Sequence, residues 1–300
     1  MKVRADLHNI ALTALCVLGG SIVYAPCAFE ENSPAALFFS LAVGTPVYIL
    51  ILLGINRLKT ENTPAVKIIK TSVCIFLVLI SAMSFSSVTD YFSSAVLIKT
   101  PFAAIFTVLF LTLLAAGFCG GDAAKKMSLA AIFFVSVLIF ILLAVSHKSF
   151  DIKTALKFKP TLNFFVTFLK YTADVFLLSV GAVLFQREKG AKTDVKSTAF
   201  GAVLGGALLL VTVSSSVAVL GNAPAAEFRF PYHFAVATFS AGTLFTRMDA
   251  LTYFIFFTCG FVKSFICLCA ARNMFPWYEN HKKMFSAAFC VITALLSLAF

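Results

Sequence analysis

Five charged side chains fall where an apolar chain should carry none: Lys170, Asp174, Arg247, Asp249 and Lys263. Charge is costly inside hydrocarbon, so such residues mark ligand, ion or proton chemistry unless they pair or reach the surface. Lys263 is set deepest, in "FTRMDALTYFIFFTCGFVKSF", residues 245–265. It follows Asp249 by fourteen residues, or about 21 Å of helix, which is past the middle of a layer about 30 Å thick. Two outcomes are open. The stem can snorkel to the headgroups, although Cys267, Leu268 and Ala270 follow and the ammonium would have to climb past them. Alternatively it stays inside, where burial disfavours the charged form and the group can lose and regain a proton. Arg247 and Asp249 flank Met248, where an amphipathic stretch (232–246) becomes an apolar run. One reading is a capping and depth-setting pair, with the aspartate favoured by the helix dipole by about 0.3–1 kcal/mol; the other makes Arg247 an anchor. Lys170 and Asp174 are four apart, so on a helix they share a face and can pair.

Uncharged residues supply a second kind of chemistry. In "LGGSIVYAP", Gly19 and Gly20 cost helix stability and Pro26 removes a donor. A break at Gly19, Gly20 and Ser21 would offer bare backbone to the carboxylate and amine of a small zwitterion. Close helix packing through small residues reads equally well. "YTADVFLLSVGAVLF" places Asp174 near one end of an apolar run and Gly181 at its middle. Gly201, Gly205 and Gly206 have the spacing of packing residues, and Gly120 and Gly121 mark a loop. The eight cysteines include no CxxC pair and read as small apolar packing residues. His8, His147, His233 and His281 lie far apart in loops and termini. No metal or cofactor is expected, and no paired carboxylates or nucleophile–base motif points to an enzyme.

The elements that must position these residues are membrane helices. Of 300 residues, 60% are hydrophobic and only 12% charged, with mean hydropathy +0.97, where a soluble domain has about a quarter charged. The apolar runs have the length of spanning helices, roughly 20 residues, and none alternates as barrel strands do. The expected fold is an all-α polytopic membrane protein with about nine spans: 9–28, 35–56, 66–88, 101–119, 127–146, 171–186, 198–220, 249–271 and 284–300. The first run is too long for a leader and lacks a small-x-small site, so it is expected to be a retained span. The net charge of +11 suggests membrane orientation and no nucleic-acid partner. With a cytoplasmic N-terminus, Lys2, Arg4, Arg57, Lys125, Lys126, Arg187 and Arg272 all fall on the cytoplasmic side, as the positive-inside rule requires. The exception is the loop after the fifth span, whose "KTALKFKPTLNFFVTFLK" is expected to lie along the membrane surface.

The stretch "FRFPYHFAVATFSAGTLFTRMDALTYFIFFTCGFVKSFICLCAARNMF" resembles the spore germination permease family, the B subunit of nutrient germinant receptors in the amino acid–polyamine–organocation superfamily. The resemblance rests on Pro231, on Arg247, Asp249 and Ala250 as Arg-x-(Asp/Glu)-Ala, and on the internal Lys263. "LGGSIVYAP" looks like that family's first-helix break, Thr100–Pro101 like its start of helix four, and Asp174 like its helix-six carboxylate. The resemblance implies a LeuT-like fold of two inverted five-helix repeats, here 9–146 and a shortened 160–300 lacking the tenth helix, in one domain (1–300). It implies a subunit that senses a small-molecule germinant such as an amino acid, in the spore inner membrane, with A and C receptor subunits as partners. The ligand would sit between the first span and span six, with Gly19, Gly20, Ser21, Asp174 and Gly181 as contacts and spans three and eight as walls. Arg247 and Asp249 would serve assembly. In transporters of this fold, helices one and eight enclose a sodium site at about the depth of Lys263. The lysine, beside Ser264 and the first-span carbonyls, would replace that ion and make the protein sodium-independent. A proton-coupled amino acid transporter and a scaffold subunit that binds no ligand are the alternatives.

Overall fold

A chain in hydrocarbon must satisfy its own N–H and C=O groups, so long apolar runs become helices. The structure, a computed structural model, describes residues 2–24, 33–57, 64–146, 151, 162–172, 195–228, 230–238, 249–273 and 281–299, and its regular elements are all helical. They are α1 (Lys2–Tyr24), α2 (Ser33–Arg57), α3 (Pro64–Tyr91), α4 (Phe102–Cys119), α5 (Gly121–Ser146), α6 (Leu162–Thr172), α7 (Val195–Leu220), α8 (Asn222–Glu227), α9 (Pro231–Ala237), α10 (Asp249–Asn273) and α11 (Lys282–Ser297). A π-helical turn, Phe92–Val96, ends α3. Among the described residues, five helices are long and apolar enough to cross a membrane, and three shorter apolar stretches lie at Leu7–Gly19, Pro34–Leu50 and Lys283–Ser297. This is the make-up of an integral membrane protein.

Helices stand at eight of the nine expected positions. The expected span 171–186 lies outside the described residues after Thr172, where α6 closes. Part of the expected surface segment is α6, which packs on α2 through a Phe39–Phe164 edge contact and a 3.0 Å Ser40–Thr172 hydroxyl pair. One expectation is corrected outright. The first helix does not break at Gly19 and Gly20 but runs unbroken to Tyr24. Glycine's weak helix propensity is outweighed where unsatisfied amides cost several kcal/mol and neighbouring helices hold the backbone in place.

The helices differ sharply in burial. In α4 the buried residues form one stripe, Ile105, Leu109, Leu113 and Gly117, while Val108 and Leu111 on the other side are exposed and just as apolar. Phe133 and Phe140 do the same on α5. A helix apolar on its exposed face has lipid as its solvent. By contrast 89% of the spanning part of α10 is buried, against 22% of α4. α10 is the inner post of the bundle and packs on α1, α3, α4, α5 and α11.

α1 is the second inner helix, held between α7 and α10. The glycines of α7 make this possible. A methyl group placed on Gly201 would stand 2.6 Å from the Ile10 carbonyl oxygen. On Gly205 it would stand 2.5 Å from the Ala14 carbonyl oxygen. Backbone therefore meets backbone, as the glycine spacing predicts. The hydroxyls of Thr212, Ser215 and Ser216 cost little here, because they donate to carbonyls of their own helix at 2.7–2.9 Å. Between α4 and α5 the chain turns at Gly120 alone, with φ 86°, and the Arg272 guanidinium lies against that corner.

Gly205→Val should therefore force α1 off α7. We expect a loss of about 1–3 kcal/mol or more, seen as a lower thermal midpoint of the purified protein in detergent. Phe133→Ala on the lipid-facing surface should leave the midpoint in place. An unchanged midpoint for Gly205→Val would show that the helices do not meet at these glycines.

Candidate functional site

Lys263 lies on α10 between the neighbours that enclose it, and its exposure is 0%. Snorkelling is ruled out: the side chain belongs to the interior of the bundle. The turn before it touches α1. A methyl group on Gly19 would stand 2.6 Å from the Cys259 carbonyl oxygen and 3.5 Å from Lys263 Cβ. Gly19 is thus the small residue that lets α1 reach α10 at the level of the lysine, and the expected contact between Lys263 and the first span is present.

The mode of contact differs from the expectation. Gly19, Gly20 and Ser21 are all within continuous α1, so their amides are committed to carbonyls one turn back. They do not offer bare donors to a zwitterion. Gly19 meets Cys259 with no space for a ligand between them, while the side chain of Ser21 lies outside the described residues. Ser264 also faces elsewhere. Its hydroxyl donates to the Gly260 carbonyl at 3.2 Å and, across the helix seam, to the Ser81 carbonyl of α3 at 3.3 Å. One residue of helix is about 100° of rotation, enough to turn Lys263 toward α1 and Ser264 toward α3.

The α3 side of this junction carries further polar groups. The hydroxyls of Ser81 and Ser84 are buried, with no hydrogen-bond partner among the described residues. They are three apart and share a face of α3. Cys259 and Cys267 lie one turn either side of Lys263, both as buried free thiols. The junction of α1, α3 and α10 therefore combines one ammonium with serine hydroxyls in an otherwise apolar bundle. It can present a cation and hydroxyl donors to an anionic group.

The remaining expected residues are not brought into this junction by what is described. Asp174 and Gly181 lie in 173–194 and Arg247 in 239–248, outside the described residues. Asp249 is the first residue of α10, as expected of an acid at a helix N-terminus, but its side chain is likewise outside the description. Part of the amphipathic stretch is the short helix α9, and it is not a surface element: Tyr232, His233, Ala235 and Val236 are buried.

His233 is the residue the sequence did not reveal. Its Nδ1 lies 3.3 Å from Tyr91 Oη and 3.0 Å from Thr252 Oγ1, and the two hydroxyls are 3.1 Å apart. Tyr91 stacks on Phe256 at 4.3 Å and meets Phe230 edge-on at 4.9 Å. The knot ties α3, α9 and α10 together at the end where α3 closes and α10 begins. Its partners are 142 and 19 residues away in sequence, so no local spacing signals it.

No family model matches the chain, and no curated protein matches it in sequence.

Lys263→Met should test whether the charge is structural. A buried charge forfeits its hydration, and methionine of similar length keeps the packing without that cost, so the variant's thermal midpoint in detergent should equal or exceed that of the wild type. A large fall would show that the ammonium holds the bundle together.

Proposed function

We propose that this chain is a permease-like membrane subunit that senses a small nutrient, such as an amino acid, within a spore germination receptor. The observation that carries the reading is the fully buried Lys263 against Gly19 at the α1–α10 contact. An ionisable residue kept inside a membrane bundle is a functional group by default. In the resembling fold sodium would be held between helices one and eight, and the contact of Lys263 with α1 supports the lysine as its replacement. The packing of α10 on α1, α3 and α5 agrees with helix eight of an inverted-repeat bundle. The residues that carry the resemblance, Pro231, Ala250 and Lys263 among them, fall on α9 and α10.

In this reading the ammonium takes the place of a coupling ion. Ligand binding beside it alters the cost of keeping it charged, and the α1–α10 contact converts that change into movement. The continuity of α1 through Gly20 moves the expected ligand contact from bare backbone to side chains, with the Ser81 and Ser84 hydroxyls available on α3. The A and C receptor subunits would read the outcome.

The test is a thermal-shift screen of purified protein against the twenty amino acids, in choline buffer free of sodium. At least one should raise the wild-type midpoint, and Lys263→Met should abolish the shift. Uptake of that amino acid into proteoliposomes then separates a sensor, which accumulates none, from a proton-coupled transporter. A shift that appears only with sodium would refute the lysine's role. No shift even with A and C subunits present would favour a scaffold.

A further inference from the structure

The helices α8 and α9 lie in the chain between α7 and α10, and their attachment is uneven. At one end stands Gly221, with φ +84°, a conformation L side chains rarely adopt. A methyl group there would meet nothing closer than Pro224 Cδ at 3.8 Å. The backbone angle therefore requires this glycine, and space does not. α9 has only seven residues, too few to be stable on its own, so contacts with the bundle must hold it.

Those contacts differ on its two sides. Toward α3 and α10, His233 joins Tyr91 and Thr252 in the buried knot. At most two of the three close approaches are hydrogen bonds at one time, whichever way the imidazole is protonated. Toward α5 and α7, Tyr232 and Val236 line a small cavity with Ile139, Leu142, Val211 and Ser215. Atoms beside a void lack partners on that side. α9 is therefore held by hydrogen bonds on one side and by apolar contact beside a small cavity on the other. Antiparallel to each other, α3 and α10 form a seam that leads from the knot at Tyr91 and Thr252 to Ser84, Ser81 and Lys263.

We propose that α8 and α9 form a hinged plug over this end of the seam, turning about Gly221 and held shut by the His233–Tyr91–Thr252 knot. Opening the knot lets α9 swing and exposes the way to the polar junction. The proposal stands whatever the protein senses.

The test uses the full-length protein in nanodiscs, with a Val236→Cys reporter on the buried face of the plug and N-ethylmaleimide as the probe, read by peptide mass spectrometry. Buried Cys16 of α1 serves as the internal control. With the knot intact the reporter should label slowly. Adding His233→Ala should speed labelling several-fold, up to about tenfold, as the net loss of about one hydrogen bond implies, while Cys16 stays protected. Tyr91→Phe keeps the ring stacking and removes one hydroxyl, so it should give a smaller increase in the same direction. Reporter labelling that is no faster in either variant overturns the proposal. So does Cys16 labelling that rises in step with the reporter, since that is general loosening and not a plug.

Discussion

The bundle depends on backbone-to-backbone contact along α1. Lipid tails are as apolar as leucine, so burial in a membrane gives helices little reason to associate, and close packing must supply it. α1 achieves this on two sides. Gly201 and Gly205 bring α7 onto the carbonyls of Ile10 and Ala14, and Gly19 brings α1 onto the carbonyl of Cys259. These approaches tolerate no side chain. They fix the depth of α1 relative to α10 and so fix what surrounds Lys263.

The lysine is affordable because of that packing. Held at 0% exposure, it is enclosed by protein, with serine-bearing α3 on one side and glycine-bearing α1 on the other. Ser264 hydrogen-bonds within α10 and across to Ser81, pinning the α3–α10 seam next to the charge. A polar junction of this kind is stable only while its walls stay in register, so small shifts of α1 change the surroundings of the ammonium directly. That sensitivity is what a membrane sensor or transporter requires.

Much of this was legible in the sequence, and the failures have physical causes. Helix positions were legible because hydrocarbon rewards long apolar runs whatever their periodicity. The turns of apolar residues beyond Lys263 favoured an interior place without excluding snorkelling, and the packing role of Gly201 and Gly205 followed from their spacing. The continuity of α1 was not legible. A glycine pair suits a broken helix and a close contact equally, and only the Cys259 carbonyl, 240 residues after Gly19, decides between them. The direction of Ser264 turned on a single step of helix rotation. The His233 knot was invisible because its members come from three separate helices.

The burial of α10 bears on how the protein is made. A lysine near the middle of an isolated helix raises the cost of entering the bilayer by about 2.5–3.5 kcal/mol on insertion scales. The ribosome delivers α10 only after α1, α3 and α5, the helices that line its slot, have left the tunnel. The lysine can then pass from the translocon into a prepared protein groove and avoid a stay in lipid. Chain order thus acts as a biogenesis device: the helix with the buried lysine comes late because its neighbours must already be there to receive it.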